Sequence, residues 1–266
     1  MKIKMVLCAT IVVVLAGLAF WRGTPSGPGD VAGGEIYVFA ASSLTDVLDH
    51  LAKEFERSHG IRVRPDLSSS GVLRMKIEAG ARVDAFLSAS VKDMDLLEEA
   101  GYLSKATRRD FLRNSLVCVV PAASTCRVAT AADLLRREVR RIAIGDPDHV
   151  PAGLYGKEAL LRLNLWSQLA RKLVPCADAR AALAQAELGT VEAAIVYGSD
   201  ADVSSRVNVA FAFPDTSHTP IVYSAGLLKR ALHPEAARKF LDFLTSASAK
   251  RVFTEYGFEP ITDGIE

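Results

Sequence analysis

An excess of charge of either sign is what this chain most lacks. Its 266 residues carry 32 Lys+Arg against 31 Asp+Glu, a formal net charge of +1, which excludes the strongly basic footprint of a nucleic-acid binder. With 50% hydrophobic residues, 18 Gly and 11 Pro, the chain is neither collagen-like nor disordered. Four cysteines are too few for a disulfide scaffold. There is no CxxC, and His50, His59, His149, His218 and His233 show no paired metal-ligand spacing, which argues against a metal site. The usual catalytic signatures are also missing. No GxSxG elbow occurs, no GxGxxG follows the first strand, and the segment from Gly153 to Glu158 (GLYGKE) is too short for a phosphate loop and ends in Glu.

One long hydrophobic run is present, and it is N-terminal. Lys2 and Lys4 precede an uncharged stretch from Met5 to Phe20, the order of an export signal. Gly17 and Ala19 offer small residues for cleavage after Ala19, while Trp21 and Arg22 could mark the outer end of an uncleaved anchor. Residues 1–22 therefore read as a signal peptide or an N-terminal anchor, and the folded part as extracytoplasmic. Cys8 comes very early and follows Leu7, unlike a lipoprotein signal. Removing residues 1–19 leaves 30 basic against 31 acidic residues, a nearly neutral exported domain. Residues 23–34, rich in Gly and Pro, read as a tether. Cys118 lies in an apolar run and reads as a buried small hydrophobe, and whether Cys126 and Cys176 pair is left open.

From Glu35 onward, short Val- and Ile-rich runs alternate with helix-period segments, the pattern of an α/β fold. Strands are expected at residues 35–40, 61–67, 83–88, 116–120, 142–144, near 172–174, and at 193–197, 207–213 and 221–228. Between them fall helices. Ser43 with Asp46 reads as a capping box for the first, Thr130 and Asp178 as caps for helices at 131–137 and 179–188, and Pro234 as N1 of a C-terminal helical stretch through Tyr256. Two strand-to-helix turns, Ala40 to Ser43 and Ser68 to Gly71, are small, hydroxyl-rich and uncharged. Such turns place helix N-termini, with unpaired N–H groups and partial positive charge, at the carboxyl edge of a sheet. Each alone is an ordinary cap or turn, whereas a pair suits an anion.

These turns lie within a wider likeness. The segments from Val38 to Thr45 (VFAASSLT), from Ser69 to Gly71, and from Val83 to Ala89 (VDAFLSA), with GDPDHVPAG from Gly145, IVYGSDA from Ile195 and Tyr256-Gly257-Phe258, resemble the molybdate-binding proteins of bacterial ABC transporters over essentially Glu35 to Phe258. The resemblance implies a two-lobed periplasmic binding protein of type II-like form, each lobe a mixed sheet flanked by helices, with residues 35–117 plus 223–266 as lobe 1, residues 118–222 as lobe 2, and the ligand in the cleft. It implies oxyanion ligation by Ser43 and Ser70 through hydroxyl and backbone N–H, by the backbone N–H of Ala152 and Ala179, and by the phenol of Tyr197. The family has Val where this chain has Ala179, a change that bears on pocket snugness more than on a backbone donor. It further implies capture of molybdate, and of tungstate, by a monomer that uses no cofactor, is not an enzyme, and delivers its ligand to a membrane permease.

Chemistry supports a donor-only pocket for such a ligand. Molybdate is fully deprotonated near neutral pH, whereas phosphate usually keeps a proton and wants an acceptor. Arg74 and Arg180 lie near the turns but read as solvated or Asp-paired, His149 as a loop-fixing hydrogen bonder, and Asp84 and Asp178 as structural or capping groups. Three alternatives stay open: a binder of sulfate or another small solute, a tethered sensor domain, and a secreted hydrolase using Ser43 or Ser70 with His149 or His218 as base.

Overall fold

The computed structural model describes residues 34–261, so the signal or anchor and most of the tether lie outside the described residues. The first strand, β1 (Glu35–Ala41), owes its form to Ile, Tyr, Val and Phe in succession. A 3-10 turn (Ser42–Leu44) leads into helix α1 (Thr45–His59), which carries Asp46 in its first turn, Arg57 and His59 in its last, and a left-handed Gly60 cap at φ 65°. The expected capping role of Ser43 is corrected: it sits inside the 3-10 turn, and its side chain caps neither element. There follow β2 (Arg62–Ser68), α2 (Ser70–Glu78), β3 (Ala85–Ser88), α3 (Val91–Glu99) and β4 (Arg109–Asn114). Strand β4 escapes the sequence reading because its buried pair Phe111-Leu112 is flanked by charged residues and shows no alternation.

The second set runs β5 (Leu116–Pro121), β6 (Ile142–Gly145), α4 (Pro151–Arg162), α5 (Trp166–Leu169), β7 (Leu173–Cys176), α6 (Ala179–Glu187), β8 (Ala193–Tyr197), α7 (Gly198–Asp202) and β9 (Val207–Ala212). Residues 131–137, expected as a helix, hold only a 3-10 turn (Ala131–Leu135), with Asp133 accepting from the Thr130 N–H at 2.9 Å. The chain then returns through β10 (Ile221–Leu227), α8 (Pro234–Leu244), α9 (Ala247–Glu255) and β11 (Glu259–Pro260). The C-terminal helical stretch is two helices because the Ser246 hydroxyl caps the second, accepting from the Ala249 N–H at 3.2 Å.

Two mixed sheets result, the α/β class expected. The first has strand order β11-β4-β10-β3-β1-β2 and the second β7-β6-β8-β5-β9. In the first, β1 runs parallel to β2 and β3, while β10 is antiparallel to both β3 and β4. By sheet membership the chain crosses at Ser115 and returns within residues 213–220. Leu116 and Val117 thus pair in the second sheet, and Ile221 and Val222 in the first. Alternation sends side chains to both faces of each sheet, so both are covered. In the first lobe Phe55 of α1 packs against Phe240 of α8, ring centroids 5.1 Å apart and edge to face, while Phe39, Phe86, Leu73 and Leu97 fill the other side. In the second, Ile142 and Ile144 face the α4 side and Ala143 faces Ala182 and Leu183 of α6. Among the described residues no disulfide forms: Cys118, Cys126 and Cys176 are thiols there.

Phe240 is fully buried. Replacing it with Ala should cost about 3–5 kcal/mol of unfolding free energy, the usual loss for a buried aromatic, measurable by urea denaturation. A loss below about 1 kcal/mol would show that α8 contributes little to the first core.

Candidate functional site

A helix start leaves its first N–H groups without intrahelical carbonyls. Four such starts converge, two from each sheet. The first is the 3-10 turn holding Ser42 and Ser43. At the second, Ser69 accepts from the Val72 N–H at 3.4 Å, leaving Ser70 and Gly71 as the first helical donors of α2. At the third, Pro151 occupies N1 and has no N–H, so Ala152 is the first donor of α4. Two glycines let that helix start close to its strand: a Cβ on Gly153 would collide with the Gly145 carbonyl, and one on Gly145 would lie 2.6 Å from Val150 Cγ1. This explains the spacing of glycines in GDPDHVPAG. At the fourth, Asp178 accepts from the Ala181 N–H at 2.9 Å, leaving Ala179 and Arg180 as the first donors of α6.

These starts enclose a cavity lined by residues 41–43, 68–70, Ala89, residues 150–152, Ala179 and Tyr197. All five residues singled out in the sequence, Ser43, Ser70, Ala152, Ala179 and Tyr197, are brought together here. Its volume, taken as room for the centre of a water-sized sphere, is about 10 Å³, far below the roughly 300–1,000 Å³ of organic-ligand pockets. Among the described residues, no charged side chain belongs to the lining. Ala89 was missed by sequence reasoning because a backbone group after a strand carries no residue-type signal.

The hydroxyls are directed. The Ser70 Oγ, 1% exposed, accepts from the Ala89 N–H at 2.9 Å, so its own proton is left for another acceptor. Ser43 Oγ lies 2.7 Å from the hydroxyl of Tyr223, a fully buried residue. Tyr197 is 2% exposed, and its hydroxyl has no hydrogen-bond partner among the described residues. Burial raises the Tyr197 phenol well above its usual 10, with nearby Tyr223 adding to the effect, so it stays protonated and a donor. An unpaired buried hydroxyl ordinarily costs about 1–3 kcal/mol.

Neighbouring charges are neutralised locally. Arg74 pairs with Glu78 at 2.6 Å and Asp93 at 2.9 Å. Arg180, beside Ala179, contacts Asp46 from the first lobe and lies 2.8 Å from Asp200 Oδ1 through Nε, although that N–H is not aimed along a hydrogen bond. Asp200, fully buried, also accepts weakly from the Tyr197 backbone N–H at 3.4 Å. Burial lifts its carboxyl from 3.8 to about 6 against the pull of Arg180. Asp84, 1% exposed, accepts from the backbone N–H groups of Tyr37 at 2.9 Å and His233 at 2.8 Å, a structural role. The reading of His149 is corrected: its Nδ1 is 3.7 Å from Asp146, too far to fix the loop. Its backbone carbonyl instead packs so closely on Gly71 that a Cβ there would collide with it.

The family model for bacterial extracellular solute-binding proteins matches residues 36–259. The chain belongs to that family. This solute-binding protein is 41% identical over 232 residues to the molybdate-binding protein ModA of Escherichia coli (strain K12), covering 85% of this chain and 89% of that one. Its structure is similar to the substrate-binding domain of a putative molybdenum ABC transporter from Clostridium difficile, at TM-score 0.68 and 32% identity, over 86% of this chain and 100% of that one. It is also similar to the periplasmic molybdate-binding protein of Azotobacter vinelandii, at TM-score 0.79 and 23% identity, over 85% and 100%. The last likeness establishes the two-lobed fold.

Because the Asp200 carboxyl is raised on folding, its protonated form favours the folded state, and that advantage is lost as pH rises from about 4 through 6. At about 1.4 kcal/mol per tenfold change in proton affinity, the span from 3.8 to about 6 is worth about 3 kcal/mol. Unfolding free energies of the wild type and Asp200→Asn, compared at pH 4 and pH 7, should therefore shift against the wild type by up to about that amount. A pH-independent difference would show that Arg180 fully compensates the carboxylate.

Proposed function

We propose that this protein captures molybdate, and tungstate with it, in the cleft between its two lobes and passes the ion to the membrane permease of an ABC importer. The observation that carries the reading is the Tyr197 hydroxyl, a buried donor without a partner among the described residues, at a cavity where helix starts from both lobes meet. Ser43, Ser70, Ala152, Ala179 and Tyr197 would be the ligands, through hydroxyls and backbone N–H groups. Four helix N-termini favour an anion, the small volume favours a compact inorganic one, and the uncharged lining favours one whose oxygens all accept. Identity to a relative named as molybdate-binding supports that choice among oxyanions. Binding is the action this chemistry supports, since the relatives are binding proteins. Against a hydrolase stand the partners of the two serine hydroxyls, a tyrosine and a backbone N–H in place of a general base. Membership in an extracellular family supports an extracytoplasmic location.

Ligation from both lobes would favour the closed arrangement. Molybdate and tungstate should each raise the melting temperature of the purified domain by mass action. A shift with sulfate but with neither of these would replace the proposed ligand. Tyr197→Phe separates binding from folding: it should weaken molybdate binding about 10–100-fold, the equivalent of a hydrogen bond to a charged group. Its ligand-free melting temperature should be unchanged or higher, because the hydroxyl removed has no partner among the described residues. Unchanged affinity by calorimetry would remove Tyr197 from the ligand set.

A further inference from the structure

One chain of hydrogen bonds behind Ser43 has a fixed direction. Asn114 ends β4, just before the crossing to the second sheet. Its Oδ1 faces two backbone donors, the N–H of Ser115 at 2.9 Å and that of Ser199 at 3.3 Å. Backbone N–H groups only donate, so they identify the amide oxygen and leave Nδ2 as the donor end. Nδ2 lies 2.8 Å from Ser199 Oγ and 3.2 Å from the Tyr223 hydroxyl. Tyr223 is fully buried and is kept protonated by that burial. Its oxygen accepts from Asn114, and the neighbour left for its own proton is Ser43 Oγ at 2.7 Å. The opposite polarity would aim two donors at the Tyr223 oxygen and strand its proton in a dry site, at a cost of about 1–3 kcal/mol. Tyr223 therefore donates to Ser43, and the Ser43 proton is turned out of this chain.

We infer that Asn114 and Tyr223 are specificity-determining positioning residues, which hold the Ser43 hydroxyl as a donor toward the cavity and so set the site against oxyanions that carry a proton. Neither residue belongs to the cavity lining. The inference rests on the oxyanion reading above. Where the hydroxyls of Ser43, Ser70 and Tyr197 all donate, a fully deprotonated dianion offers each of them an acceptor, while a protonated oxyanion brings an O–H that meets another donor. Selectivity of this kind arises from mismatched polar groups.

Asn114→Asp tests the polarity with little change of shape. A carboxylate keeps one oxygen for the two backbone N–H groups and turns an acceptor toward Tyr223. Tyr223 then donates to Asp, Ser43 donates to Tyr223, and a Ser43 lone pair faces the cavity. Affinities for molybdate and phosphate would be measured by calorimetry at pH 8, where phosphate is mainly the singly protonated dianion. The molybdate-to-phosphate affinity ratio should fall at least about tenfold, about the value of one hydrogen bond. A general charge effect would weaken both dianions alike and leave the ratio unchanged, and that result overturns the inference. So does a variant that shows no phosphate binding while molybdate binding is merely weaker. Tyr223→Phe should lower molybdate affinity about tenfold, and in its background Asn114→Asp should no longer change the ratio, the non-additivity of residues in one chain. A ratio change that survives without the Tyr223 hydroxyl also overturns it. Should the double variant not fold, as judged by circular dichroism, the ratio in Asn114→Asp alone decides. Failure of the wild type to bind molybdate would instead overturn the reading on which this rests.

Discussion

Backbone N–H groups at a helix start have to be satisfied by something other than their own helix. The architecture of this protein follows from bringing four such starts to one place. The two sheets supply two starts each, at the carboxyl ends of β1, β2 and β6 and in the turn after β7. Small residues are required there, because a bulky side chain would hold the helices apart. That is why Gly145 and Gly153 meet in the second lobe, and why Gly71 packs directly under the His149 carbonyl across the lobes. Under the oxyanion reading, the same donors that burden each half of the cleft become the binding energy once an ion joins them. Closure and binding are then one event.

Near-neutrality acquires a physical role in this setting. Burying a fixed cation in an empty site costs far more than burying N–H and O–H dipoles. The arginines near the starts of α2 and α6 are accordingly tied to carboxylates, Arg74 to Glu78 and Asp93, and Arg180 to Asp46 and Asp200. Arg180 is the more informative, since it spans the lobes: Asp46 belongs to α1 of the first, and Asp200 to α7 of the second. It adds an interlobe attachment at the cavity's edge while leaving the lining uncharged.

The α/β class and the two serine turns were legible because each leaves a mark in residue type, β-branched runs and small hydroxyl-rich segments. Ala152 after a Pro at N1 and Ala179 after an Asp cap were marked as helix starts, but the five together, and Tyr197 above all, were picked out only by the family resemblance. What was not legible lacks such a mark. Strand β4 hides its buried pair among charges, and the 3-10 turn at Ser42–Leu44 takes over the place where Ser43 reads as a cap. Ala89 acts through its backbone, and its N–H is 19 residues from the Ser70 hydroxyl it meets. Tyr223 and Ser43 are 180 residues apart, so no local pattern could join them. Contacts of that range arise only when the chain crosses to the second lobe and comes back.

That return is also where selectivity is best placed. The N–H donors of the cavity are properties of the fold, present whatever side chains line it, and a family sharing the fold shares them. Hydroxyls differ, because an O–H can donate or accept according to what stands behind it. Ser70 has its sense fixed by a backbone N–H, which no substitution at position 89 short of Pro removes. Ser43 has its sense fixed by side chains, Tyr223 and Asn114, and ultimately by the N–H groups of Ser115 and Ser199 around the crossing. Of the two serines, Ser43 is therefore the one whose hydrogen-bonding sense sequence change can reverse without disturbing the lining. Under the oxyanion reading, the fold supplies the charge preference, and residues outside the cavity lining set which protonation state it accepts.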